Sequence, residues 1–423
     1  MRSEKYDVVV VGGGAAGMMA AYTAAKRGKR VIVLERNKVL GKKLSITGGG
    51  RCNILNAEFD VKRLLSHYGE AGKFLFSPFS KHSAQDSWNF FTAHDLPLVV
   101  EARKRAFPKA MSAPLVTDFF VKLLNKQHVT LKKQVKITDI VLSNDQKKID
   151  LLIDSKGVEY RSETFIFAAG GSSYPETGSD GSLFSIFQNH NYTVHPANPN
   201  IVPLVTKDEW MHALSGTTVS FCKITFAAKK PKWTQNKPGK FSLTGKVLFT
   251  HFGISGPPVL NVAYKVKELL QSGDVVSSID FFPDTDISIL RKRVLQVFDN
   301  NKNKQFKNII SLIAPKGIDK AFSYHLEDEW LEKRVCDISK EERLHFVTLL
   351  KAMPFTVTGT MGLDWAVISD GGIDLKDIDT RTMQSRLHSN AYFVGDMLHV
   401  NRPSGGYSLQ LCWTTGFVAG SSV

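Results

Sequence analysis

The chain has 423 residues, with 55 lysines and arginines against 40 aspartates and glutamates, a net charge of +15. Hydrophobic residues make up 43% and charged residues 22%, which excludes wholesale disorder, and the length predicts two or three domains. No apolar run is long enough to span a bilayer, and Cys52, Cys222, Cys336 and Cys412 form neither a CxxC pair nor a metal-like cluster, so reduced thiols, a cytoplasmic location and no bound metal are expected.

The first predicted element is a buried strand, Val8-Val9-Val10-Val11, followed directly by Gly12-Gly13-Gly14-Ala15-Ala16-Gly17. Gly12 permits the tight strand-to-helix turn, Gly14 lets a pyrophosphate approach the backbone, and Gly17 lets the helix lie close to the sheet. Phosphates would then rest at a helix N-terminus, where free N–H groups and the helix dipole favour negative charge. Val31-Ile32-Val33-Leu34 forms the next strand and ends in Glu35, placed to accept hydrogen bonds from a ribose. A secretory signal is the competing reading, since Arg2 and Lys5 precede an apolar stretch with Ala20, Ala21, Ala24 and Ala25. Three consecutive glycines and the acids Glu4 and Asp7 argue against it.

Further along, residues 129–140 and 148–153 read as strands of a small antiparallel insertion, and Thr164 to Phe167 as a buried strand ending in Ala168-Ala169-Gly170-Gly171. Pro196 to Pro203 reads as a domain exit. Beyond it, residues 219–227 and 241–250 favour strands, Pro257-Pro258 opens a helix running to Leu270, and residues 287–298 and 327–335 read as helices. The α/β texture returns at about residue 356. The expected architecture is an α/β, Rossmann-like domain of residues 1–196 and 356–423. It is interrupted by a β-rich domain of residues 197–253 with part of 340–355, and by a helical domain of residues 254–339.

Near the C-terminus, Ala391-Tyr392-Phe393-Val394 is a short apolar strand ending in Gly395-Asp396, where a ribityl chain can cross the glycine and the carboxylate can accept a hydroxyl proton. Gly405-Gly406-Tyr407 then offers backbone N–H groups at another helix start. Together with the N-terminal fingerprint, these turns point to FAD. There is one GxGxxG, so NAD(P)H is expected only as a transient co-substrate.

The run from Gly41 to Asn53, GKKLSITGGGRCN, completed by Asn56, resembles the signature of bacterial NAD(P)/FAD-dependent oxidoreductases of the BaiN/YhiN type, a family that includes an aminoacetone oxidase and a bile-acid reductase. Arg105 to Pro108, Ala168 to Gly181, Leu248 to Pro257, Gly371 to Ile373 and Thr382 to Arg386 match in order, so the resemblance spans nearly the whole chain. It implies a glutathione-reductase-type FAD fold with an inserted β-barrel-like and helical region. It also implies FAD contacts at Gly12, Gly14, Ala16, Gly17, Glu35, Arg36, Lys43, Thr47, Gly50, Arg51, Cys52, Asn53, Val135, Ala169, Gly170, Gly395, Asp396, Gly406, Tyr407 and Ser408. The family's acidic pair after the Gly-Asp strand is replaced here by a segment containing His399 and Arg402, and its asparagine after Gly-Gly-Tyr by Ser408. That exchange suggests His399 and Arg402 as contacts for an anionic substrate.

His251 is the candidate acid–base group, against a structural role in its loop. Arg51 is the candidate for stabilising charge on the flavin or holding a substrate carboxylate, against an ion pair that pins its turn. Cys52 reads as a packing residue in preference to a reactive thiolate. The expected function is FAD-dependent two-electron (hydride) transfer at flavin N5 with a small-molecule substrate, NAD(P)H serving as reductant or oxygen as acceptor. The alternatives are a flavoprotein acting on RNA, which the charge permits, and a low-turnover redox sensor. The basic residues are dispersed apart from Lys229, Lys230, Lys232 and Lys237, and no RNA-binding signature accompanies them, so a solvated basic surface is the simpler reading.

Overall fold

The computed structural model describes residues 5–228 and 239–423; Arg2, Glu4 and the lysines at 229, 230, 232 and 237 lie outside the described residues. The chain divides into two compact units, Met1–Pro199 with Ala366–Val423, and Asn200–Trp365.

The first unit is built on a sheet whose central strand is Tyr6–Val11. It pairs in parallel with Val31–Glu35 on one side and Glu159–Phe167 on the other, so that Val10 lies between Val33 and Ile166. Beyond these run Thr130–Lys133 and Ala391–Phe393, also parallel. A parallel sheet is covered on both faces, which is why the first strand carries an unbroken run of valines. Helix Ala15–Lys26 follows the fingerprint turn, with every residue from Ala16 to Ala25 buried. The closing helix Tyr407–Ser422 packs against it almost backbone to backbone. A Cβ on Gly416 would lie 2.5 Å from the Ala16 carbonyl oxygen, and one on Gly420 the same distance from that of Ala20. The two ends of the chain thus form one layer.

The expected antiparallel insertion at residues 129–140 is corrected. Its first part, Thr130–Lys133, extends the parallel sheet, and only Ile137–Leu142 pairs antiparallel with Ile149–Asp154. The break falls at Gln134, whose left-handed φ of 60° turns the chain out of one strand before the next begins. The proline-rich exit also contains a strand, Val194–Asn200, which pairs with Ile368–Ile373.

The second unit contains a closed six-stranded barrel in the order Leu204–Thr206, Gly253–Ser255, Lys240–Thr250, Thr218–Ala228, Val275–Asp280 and Met353–Thr360. Alternation fills it: Ile224, Phe226, Val247, Phe249, Ile279 and Val357 are fully buried while their strand neighbours are more open. Its longest helices among the described residues are Pro257–Leu270, Ile287–Asp299 and Lys340–Ala352. Three local readings change here. Val275–Asp280, inside the stretch read as helical, is a barrel strand with a two-residue burial period. Lys340–Ala352 is a helix started by a reciprocal capping box of Ser339 and Glu342. The expected helix at 327–335 is confined to Asp328–Glu332.

Candidate functional site

The fingerprint turn is as tight as its glycines allow. Gly12 has φ of 104°, and a Cβ there would come within 2.5 Å of the Ala168 carbonyl oxygen. A Cβ on Gly17 would lie 1.9 Å from the Gly12 carbonyl oxygen. Gly14, the residue before the helix, has open space where a side chain would be, and no side chain caps the helix. Glu35 is buried and holds the turn from the second strand. One carboxylate oxygen accepts the Gly13 N–H at 2.8 Å, and the other accepts the Asn37 N–H at 2.7 Å and its side-chain amide at 2.8 Å. Val135 donates its backbone N–H to the Glu35 carbonyl at 3.0 Å, and Arg36 ion-pairs with Asp180 at 2.6 Å. Ala169 and Gly170 are half-buried just beyond the strand Glu159–Phe167.

A second glycine turn runs from Thr47 to Asn53. Gly48, Gly49 and Gly50 all have left-handed φ, and Cys52 follows at 60°. Positions 49 and 50 open onto space, leaving a bare backbone surface that any side chain would roughen. Cys52 is fully buried, and burial pushes its thiol up to about 12, as befits a packing residue. Arg51 pairs with Glu101 at 2.9 Å and lies 4.5 Å over the Phe107 ring, the arrangement of a group that pins its turn.

This turn is fastened to the C-terminal glycines. With its amide oriented to satisfy both groups, Asn53 accepts the Gly406 N–H at 3.0 Å and donates to the carbonyls of Ala106 and Leu55 at 3.3 Å each. Asn56 donates to the Gly405 carbonyl at 2.9 Å. Tyr68 donates to the Tyr407 carbonyl at 2.8 Å, and Trp413 to that of Ile54 at 2.8 Å. Gly406, at φ 99°, has no room for a side chain, since a Cβ would come within 2.3 Å of the Leu55 backbone.

Gly395 lies over the first turn of the fingerprint helix, where a Cβ would be 2.9 Å from that of Ala16, and its N–H donates to Thr415 Oγ1 at 2.9 Å. Asp396 pairs with the buried Arg402, whose other nitrogens donate to Ser408 Oγ at 3.0 Å and the Val400 carbonyl at 2.6 Å. Lys43 donates to Ser173 Oγ at 2.6 Å with its ammonium 4.0 Å from Asp396. Burial lowers the Lys43 ammonium from the ordinary lysine range, against the pull of Asp396. His399 stacks on His195 with centroids 4.0 Å apart, and burial lowers its imidazole. His195 is held by Asp374 at 2.8 Å. His251 belongs to the barrel unit, exposed in the turn between Lys240–Thr250 and Gly253–Ser255, with its ring against Phe252.

In the first unit, therefore, the structure brings together the fingerprint turn, the Thr47–Asn53 turn, Gly395-Asp396 and Gly406-Tyr407-Ser408. Sequence reasoning missed the partners Asn37, Ser173 and Thr415; of these only Ser173 lies in a recognised motif block. The uncapped helix start, the space at Gly14, the buried carboxylate and the bare glycine surface fit a dinucleotide carrying a flat ring.

The family described as HI0933-like protein Rossmann domain matches residues 6–422. A ribosomal RNA dihydrouridine synthase of Haemophilus influenzae is 26% identical over all of this chain and 99% of its own. A 3-dehydro-bile acid delta(4,6)-reductase of Clostridium scindens is 26% identical over 97% of each chain. The solved 3-ketosteroid-delta4-(5alpha)-dehydrogenase of Rhodococcus jostii RHA1 superposes with a TM-score of 0.52 at 13% identity, covering 99% of this chain and 97% of that one, a likeness of fold. The chain is an FAD-dependent oxidoreductase. It belongs to the HI0933-like family.

Proposed function

We propose that this oxidoreductase adds two hydrogens across a carbon–carbon double bond conjugated to a carbonyl in a small molecule, with NADH or NADPH as the electron source and oxygen as a competing acceptor. The observation that carries the flavin reading is the fastening of Asn53 and Asn56 to Gly406 and Gly405, which joins two glycine turns from opposite ends of the chain. The bond type is supported by the relatives, since a delta(4,6)-reductase and a dihydrouridine synthase both act on a double bond beside a carbonyl.

Bound FAD supplies hydride transfer at N5. The chain's own residues bind and orient. The helix start at Gly14 to Gly17 holds the pyrophosphate, Glu35 the adenosine ribose, Asp396 a ribityl hydroxyl, and the Thr47–Asn53 turn with Gly406-Tyr407 the ring. Arg36, Lys43, Val135, Ala169, Gly170 and Ser408 complete the enclosure. Arg51 keeps its turn rigid through Glu101. The proton that accompanies the hydride, to the other carbon of the double bond, is drawn from water.

The test is anaerobic. NADH or NADPH should bleach the yellow protein, and a conjugated enone should restore the colour, with one enone consumed per flavin. Protein that is bleached by neither nucleotide, or reduced protein that no enone reoxidises, would overturn the reading.

A second reading replaces the small molecule by a uracil ring in RNA, itself a conjugated carbonyl. The RNA-modifying name of the Haemophilus relative and the net charge of +15 favour it. Ribosomal RNA that reoxidises the reduced protein, where free uridine and enones do not, would establish it.

A further inference from the structure

The guanidinium of Arg402 is walled off from solvent, its side chain only 1% exposed, while its carboxylate partner Asp396 is 17% exposed. All three of its nitrogens are engaged: one by Asp396, one by Ser408 Oγ and one by the Val400 carbonyl. A group so placed cannot reach out to bind an anionic substrate, the role its sequence position suggested. Asp396 instead sits between two cations, Arg402 behind it and the Lys43 ammonium 4.0 Å away. This trio lies beside the first turn of the fingerprint helix, where Gly395 meets Ala16, and Gly171 approaches the Asp396 carbonyl oxygen. The Arg402–Asp396 ion pair, with Lys43 beside it, lies in surroundings that screen charge weakly.

We infer that Arg402 is a positioning residue for the cofactor. Anchored at Ser408 Oγ and the Val400 carbonyl, it fixes the Asp396 carboxylate with its remaining nitrogen and supplies a fixed positive charge that raises the reduction potential of the bound flavin. The physical ground is that two-electron reduction adds negative charge to the ring system, and a fixed cation nearby favours the reduced form. Arginine suits the task because its planar fork is always charged and satisfies several acceptors at once. Ser408 belongs to the same device, since its hydroxyl accepts from Nε and anchors that side of the fork. The inference rests on the FAD-binding reading above.

The experiment measures the midpoint potential of the flavin-loaded protein by equilibration with redox dyes, together with the affinity for oxidised FAD. Arg402→Met should lower the reduced-over-oxidised affinity ratio about tenfold, roughly 30 mV for a two-electron couple. Arg402→Lys, which keeps the charge, should hold the potential near that of the parent while weakening FAD binding through the lost fork. Asp396→Asn should shift the potential upward, because it removes the negative charge and leaves both cations.

The Asn variant also decides the matter if the Met variant fails to fold. Met and Asn variants that bind FAD with unchanged potentials would overturn the inference, as would shifts in the same direction for both. Parent protein that binds no FAD would overturn the functional reading itself, which keeps the two failures distinct.

Discussion

Asn56 donates its side-chain amide to the carbonyl of Gly405 at 2.9 Å, joining residues 349 positions apart in the chain. The same amide reaches the Arg103 carbonyl at 3.3 Å, and the side-chain oxygen accepts the Glu58 N–H at 3.1 Å, so a buried side chain satisfies three separate backbone groups. Its replacement by alanine strands those groups, at a cost of about 1–3 kcal/mol. Asn56→Ala is expected to weaken FAD binding roughly tenfold, since 1.4 kcal/mol is a factor of ten. Quenching of FAD fluorescence on titration measures this; an unchanged dissociation constant would mean that the two turns do not need each other.

Gly14 and Gly17 belong to one motif yet are constrained differently. A Cβ at position 14 meets nothing within 4 Å, whereas one at position 17 lies 1.9 Å from the Gly12 carbonyl oxygen. Gly14→Ala should leave the melting temperature of the flavin-free protein unchanged and weaken FAD binding, because the methyl occupies the phosphate's place. Gly17→Ala should destabilise the flavin-free protein itself, by about 1–3 kcal/mol as overpacking generally does. Parallel thermal melts and FAD titrations separate the two, and equal melting temperatures would refute the assignment.

These contrasts mark what was legible in the sequence. The glycine turns could be read because their constraint is local: a left-handed φ or a close approach excludes all other residues. The parallel core was legible for a similar reason, since only a strand covered on both faces tolerates four valines in a row. Contacts set by loop paths were not. Nothing in the spacing says that Lys43 meets Ser173, 130 residues away, or that the Arg402 fork turns inward to Asp396. Val275–Asp280 escaped because its short alternation, broken by two serines, lies between helical periods, and barrel closure decides its state.

The cysteines offer a direct check on burial. Cys52, Cys222 and Cys412 are buried, and burial pushes each thiol up to about 12, while Cys336 is exposed. The thiolate is the reactive form, so the three interior thiols are doubly protected. Native protein should react with one equivalent of a disulfide reagent, and denatured protein with four. Cys336→Ser should abolish the native reaction. A second fast thiol assigned to Cys52 by peptide mapping would revive it as a reactive residue.

His82 makes the stability pH-dependent. It is buried, stacked on Phe417 with centroids 4.3 Å apart, and burial holds its imidazole down at about 4. The folded protein therefore keeps His82 neutral where the unfolded chain, near 6.5, takes up a proton. Above pH 6.5 neither state is protonated there and the residue has no effect on pH dependence. Between 6.5 and 4 the unfolded state alone gains the proton, so stability falls, by on the order of 3 kcal/mol in all. Below 4 both states are protonated and the loss levels off. Chemical denaturation of parent and His82→Leu protein at pH 7 and pH 4.5 reads this out. The leucine variant should lose less stability over that interval, and an identical loss in both would show that His82 is not the group responsible.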